Sequence, residues 1–102
     1  MDEPLLTVNV RTLNGRHAEV EVKGEVDSST QDLLRRELLG LIDKGALDLV
    51  VDLREVSFLD SSGLRGMIES VQRGATLRLR HLQPAVQKVF DIVTIPGVTI
   101  ER

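Results

Sequence analysis

The residues best suited to chemistry in this chain lie in the stretch Val56-Ser57-Phe58-Leu59-Asp60-Ser61-Ser62-Gly63-Leu64-Arg65. Asp60, Ser61 and Ser62 place a carboxylate and two hydroxyls where an apolar run gives way to a helical pattern. The first turn of a helix leaves backbone N–H groups without partners, and side-chain oxygens satisfy them. A hydroxyl there is therefore either a helix cap or a group presented for modification. The residue types alone leave both readings open. Phosphoryl transfer to serine needs an exposed oxygen held at a reproducible position, which a stiff strand-to-helix junction provides better than a loose loop. A second polar cluster, Glu25-Val26-Asp27-Ser28-Ser29-Thr30, also precedes a helical pattern, and its Ser28, Ser29 and Thr30 read as caps.

The elements that must position these residues follow from hydrophobic spacing. Val8, Val10, Ala18, Val20 and Val22 alternate with polar residues around Asn14-Gly15, a dipeptide that favours a tight hairpin turn. Leu34, Leu38, Leu41 and Ile42, widened by Leu33, form a helical stripe that Gly45 ends. Leu49 to Val51 is a continuous apolar run, the mark of a strand covered on both faces. That strand is expected over about residues 48–52, followed by a short loop. Leu64, Met67, Ile68 and Val71 make a short helix stopped by Gly74. Leu77 and Leu79 alternate with Arg78 and Arg80, a strand with one wet face. Pro84 suits the first turn of a third helix carrying Val86, Val89, Phe90 and Val93. Pro96-Gly97 turns the chain into a closing strand at Val98 and Ile100. The order predicts one α/β domain over residues 1–102, a mixed sheet of about five strands with helices mainly on one face.

Composition removes several function classes. The chain has 102 residues, enough for one hydrophobic core. Its net charge of −3 gives no reason to expect DNA or RNA binding, and two phenylalanines as its whole aromatic content leave no base-stacking platform. Without cysteine there are no disulfides or thiolate metal sites, which is compatible with the cytoplasm. No apolar run approaches the roughly 18 to 20 residues that cross a bilayer, and the N-terminus does not read as a signal peptide. His17 and His81 lack metal-ligand or catalytic spacing, so both read as surface residues. Leu59-Asp60-Ser61-Ser62-Gly63 is not the Gly-x-Ser-x-Gly elbow of a hydrolase, and there is no Walker-type phosphate loop. No enzymatic activity and no cofactor are expected.

Gly24-Glu25-Val26-Asp27, the run Phe58-Leu59-Asp60-Ser61-Ser62-Gly63-Leu64, and Pro84-Ala85-Val86 with Phe90 downstream together resemble the STAS domain. More closely, they resemble the small bacterial anti-sigma factor antagonists. The resemblance covers essentially the whole chain, and Asp-Ser-Ser-Gly-Leu is its most specific part. It implies that Ser61 is phosphorylated by an anti-sigma factor that is also a serine kinase. The unphosphorylated chain would bind that factor and free the sigma factor, and a PP2C-type phosphatase would reverse the mark. The helix after Leu64 is about one turn shorter than in typical members, roughly 5 Å of rise.

With that resemblance, the expected partner surface comprises Glu25, Asp27, Ser28, Ser29, Thr30, Asp60, Ser61, Ser62, Gly63, Leu64 and Arg65. In a parallel sheet both loops open on one edge. Gly63 is expected to leave room for an approaching partner, Leu64 to tuck inward, Met67 and Phe90 to lie in the core, and Phe58 to be a buried anchor. The rival expectation, from fold-level analogy, is an accessory subunit of a lipid or anion transport complex or a stressosome-like scaffold, the one case that would bring a membrane partner.

Overall fold

The computed structural model describes residues 4–101. Strands β1 (Leu6–Asn14) and β2 (His17–Val26) form the expected hairpin, with Asn14 facing His17 across the ladder. The turn itself is Gly15-Arg16, and only Gly15 has a positive φ, +63°. This is the glycine-first pattern of a two-residue hairpin, so the tight turn lies one residue later than Asn14-Gly15. Helix α1 (Gln31–Asp43) leads to β3 (Asp48–Leu59). A 3-10 turn (Ser61–Leu64) runs directly into α2 (Arg65–Gln72), followed by β4 (Thr76–Arg80), α3 (Pro84–Ile92) and β5 (Val98–Ile100).

The sheet order is β1-β2-β3-β4-β5, with β1 antiparallel to β2 and the other neighbours parallel. Val20, Val22, Val51, Leu53, Leu77 and Leu79 from the strands share one core with Leu34 and Leu38 of α1, Met67 of α2, and Val86 and Phe90 of α3. All three helices therefore cover one face of the sheet. The opposite face carries charges paired across strands. Arg80 reaches Glu19 at 3.0 Å and Glu101 at 2.6 Å, while Arg78 lies 3.5 Å from Asp48. His17 sits 3.1 Å from Asp48 and His81 3.3 Å from Asp52. Such solvent-exposed pairs contribute little, so the core, not this face, carries the stability.

Strand β3 departs most from the sequence expectation. It continues seven residues past Asp52, through Leu59, and replaces the anticipated loop. Its pairing with β4 stops at Asp52↔Arg80, whereas its pairing with β2 runs on to Val26↔Leu59. The ladder register jumps between Glu21 and Lys23, which face Asp52 and Glu55, and again between Gly24 and Glu25, which face Val56 and Phe58. Each jump inserts one extra residue into β3, a bulge that bends the strand and disturbs its alternation. Buried positions consequently fall at Leu53, Val56 and Leu59, three apart. A two-residue period cannot find that strand.

Gly24 and Gly66 are among the glycines that allow close approaches. Gly24 has φ +119°, and a Cβ there would lie 2.1 Å from the Leu5 carbonyl oxygen. Gly66 lets α2 press on α1, since a Cβ would fall 2.8 Å from Arg35 Cα. Gly66→Ala should destabilise the fold by about 1 to 3 kcal/mol, because the obstructing atoms are helix backbone. Urea unfolding followed by circular dichroism reads this, and an unchanged midpoint would refute the close-packing account.

Candidate functional site

The site is built at the carboxyl ends of β2 and β3. Their last paired residues are Val26 and Leu59, and the Asp60 N–H donates to the Val26 carbonyl at 3.2 Å. That bond ties the two following loops side by side. Asp60 then caps the turn: its Oδ1 accepts the Ser62 N–H at 3.0 Å and the Ser62 hydroxyl at 2.5 Å. The Asp60 carbonyl accepts the Gly63 N–H at 3.0 Å. Both capping interactions of this junction come from one aspartate.

Ser61 is left over. It is exposed, and its hydroxyl takes part in no hydrogen bond among the described residues. The capping reading of Ser61 is therefore replaced: Asp60 is the cap, and Ser62 is its half-buried hydrogen-bond donor. Gly63 and Leu64 are buried behind the hydroxyl. A Cβ on Gly63 would lie 2.6 Å from Val26 Cγ1, so this glycine makes room for β2 and not for an approaching partner. Leu64 tucks into the core, as expected. Arg65, at the start of α2, is exposed.

The loop after β2 repeats the same chemistry. Asp27 Oδ1 accepts from the Ser29 N–H at 2.9 Å, the Ser29 hydroxyl at 2.7 Å and the Thr30 N–H at 3.2 Å. The aspartate again accepts the donors of the following turn, while Thr30 Oγ1 accepts the Asp27 N–H in return at 3.0 Å. Thr30 is buried, and its hydroxyl donates to the Glu25 carbonyl at 2.7 Å. Thr30, Gly63 and Leu64 thus position the surface without forming it. Glu25, Ser28, Ser29, Ser61 and Arg65 are exposed, and Asp27, Asp60 and Ser62 half-exposed.

Phe58 corrects another expectation. It is 44% exposed, not buried, because the second bulge inserts Ser57 as an extra residue between Val56, which faces Gly24, and Phe58, which faces Glu25. The signal in the sequence was the three-residue spacing of Val56 and Leu59, which leaves two outward residues between them. Among the described residues no group of three or more His, Cys, Asp or Glu side chains could hold a metal, and no helix is long and apolar enough to cross a membrane.

The family described as "Mlab, STAS domain" matches residues 10–99. The chain belongs to the STAS family. Within it, the chain is 33% identical over 89 residues to the anti-sigma-B factor antagonist of Bacillus subtilis (strain 168), covering 83% of this chain and 81% of that relative. The fold matches the solved anti-sigma factor antagonist SpoIIAA in its unphosphorylated form, with a TM-score of 0.77 at 18% identity over 94% of this chain and 89% of that one. It also matches the Bacillus cell fate determinant SpoIIAA in the phosphorylated form, with a TM-score of 0.68 at 18% identity over 94% and 92% of the two chains. The mixed five-stranded sheet with three helices is the STAS architecture, and the Asp60–Leu64 turn lies within the matched region.

Two outcomes follow from the hydrogen bonds. Asp60→Ala should cost about 1 kcal/mol through loss of the cap, read as a lower urea midpoint. The Asp27 carboxyl is held below the ordinary carboxylate range, first by the Ser29 hydroxyl, then by the Ser29 and Thr30 N–H groups. The unfolded chain takes up this proton before the folded one does, so the contribution is present above about pH 4 and fades as pH falls through the lower folded value. Asp27→Asn should flatten that acid limb of a stability–pH curve. An identical limb in the variant would show that other carboxylates set it.

Proposed function

We propose that this chain is an anti-sigma factor antagonist switched by phosphorylation of Ser61. The observation that carries the reading is the free, exposed Ser61 hydroxyl, set between two residues whose polar atoms are bound to each other. The resemblance of 83% of the chain to a named anti-sigma-B factor antagonist supports it. In this reading the unphosphorylated chain binds an anti-sigma factor that is also a serine kinase, and so releases a sigma factor in the cytoplasm. The kinase supplies nucleotide and base; this chain supplies only the acceptor. A PP2C-type phosphatase restores the active form. The chain acts by binding and not as an enzyme.

A phosphate on Ser61 would bring nearly two negative charges. It would find little local compensation, because Asp60 already occupies the Ser62 and Gly63 N–H groups of the junction. The Asp60 carboxylate beside it adds like-charge repulsion. Nothing draws the phosphate inward, and the rigid junction gives it no route to the core. The charge therefore stays on the surface, where a docked partner must desolvate it. An unmatched dianion at an interface costs a few kcal/mol, which weakens binding about a hundredfold or more. The switch is one of surface charge, not of conformation. Asp27, half-exposed at the end of the neighbouring strand, would meet a basic group of the partner.

Incubation with anti-sigma kinases and ATP should add one phosphate, placed on Ser61 by fragment mass spectrometry. Ser61→Ala should abolish it and Ser62→Ala should not. The phosphorylated form should bind the same kinase about a hundredfold more weakly or worse. Its backbone amide NMR shifts should change only around residues 25–30 and 58–65. Phosphate on another residue, equal affinity of both forms, or shifts spread through the sheet would each contradict the proposal.

A further inference from the structure

Among the exposed large apolar side chains, Phe58 is the only aromatic one, and its exposure is built into the sheet. The bulge that turns it outward lies within the β2–β3 ladder, flanked by the buried Val56 and Leu59. Bulges of this kind re-aim side chains beside functional sites. Beyond Asp52, moreover, β3 has β2 on one side and no strand on the other, so Phe58 stands where the sheet has narrowed. It lies three residues before Ser61 and directly across the ladder from Glu25.

The charges around it differ from those on the open sheet face. There Glu19, Glu21, Asp48, Glu55 and Glu101 have arginine or lysine partners, and Asp52 lies 3.3 Å from His81. At the phosphoacceptor end, Glu25, Asp27 and Asp60 form no ion pair among the described residues. An exposed aromatic ring that shares its sheet edge with carboxylates lacking a cationic partner, Glu25 across the ladder and Asp60 two residues on, fits an apolar pocket with a basic rim. Interface hot spots have this form, an aromatic anchor in a desolvated pocket inside a polar ring.

From this continuity and charge pattern we infer that Phe58 is the aromatic anchor of the Ser61 docking surface, inserting into an apolar, basic-rimmed pocket of the kinase that phosphorylates Ser61. The inference rests on the anti-sigma reading of Ser61 and adds the residue that gives the encounter its affinity. Phosphorylation and anchoring then divide the work. The ring holds the kinase on the chain, and the phosphate expels it.

The probe is the anti-sigma kinase that phosphorylates the unaltered chain. Phe58→Ala should raise its Kd, measured by calorimetry, at least about tenfold. It should raise the KM for Ser61 phosphorylation while kcat is unchanged at saturation, because the hydroxyl itself is not moved. Phe58→Leu should recover part of the affinity. Ile92→Ala, at the far end of α3 and 84% exposed, should bind as the unaltered chain does. Urea midpoints of all variants should match the unaltered chain, since the ring lies outside the core cluster. Unchanged Kd and KM in Phe58→Ala, with Ser61 still phosphorylated, would overturn the anchor and leave the Ser61 reading standing. Failure of any kinase to modify Ser61 in the unaltered chain would overturn both. A fall in kcat with constant KM would also overturn the anchor, because it would place Phe58 in positioning the hydroxyl.

Discussion

The parallel ladder between β2 and β3 is the constraint on which the site depends. It is carried beyond the reach of β4 to its last pair, Val26 and Leu59, and is closed by the Asp60 N–H bond to Val26. Two loops separated by more than thirty residues in the chain thereby start from one fixed edge. Gly63 then packs against Val26 so tightly that no side chain fits between them. The 3-10 turn carrying Ser61 consequently has no freedom to swing relative to β2. As the proposed phosphoacceptor, Ser61 held this way would meet a kinase in one orientation, with much of the entropy of positioning settled at folding rather than at binding.

The same ladder explains an economy in the polar chemistry. At each strand end one aspartate, Asp27 or Asp60, absorbs the backbone and hydroxyl donors of the turn that follows. In both turns the residue directly after the aspartate, Ser28 or Ser61, is exposed. Position relative to the aspartate, and not residue type, separates the free serine from the bonded one. This is why two adjacent serines of identical chemistry have different fates at 61 and 62.

The two faces of the molecule divide the remaining tasks. The helical face holds one apolar core from all three helices, which fixes the sheet's shape. The open face spends its charges on partners within the chain, notably Arg80 with Glu19 and Glu101. Among the described residues, only the end carrying Ser61 combines carboxylates without ion pairs, exposed hydroxyls and an outward aromatic ring. In the proposed function, recognition is concentrated at this edge, whose carboxylates are hydrogen-bonded but lack a cationic partner.

Much of this was legible in the residues themselves. Helical spacing of leucines located α1, Pro84 marked the start of α3, and the alternation of β4 placed Arg78 and Arg80 on the wet face. The Asp60-Ser61-Ser62-Gly63-Leu64 stretch marked the junction, because helix starts favour side-chain oxygens, and it carried the most specific part of the STAS resemblance. Three matters needed the tertiary structure. The length of β3 depended on bulges that change the burial period from two to three, and no local pattern announces a bulge. The exposure of Phe58 followed from that same extra residue, which propensity reads as core. Which of two serine hydroxyls stays free depended on where the Asp60 carboxylate points, and that is set by the ladder to β2, far away in sequence. Residue types and spacing are local, so they determine what elements form. Register between distant strands is a global result of packing, and where bulges break the local period it decides which atoms face the solvent.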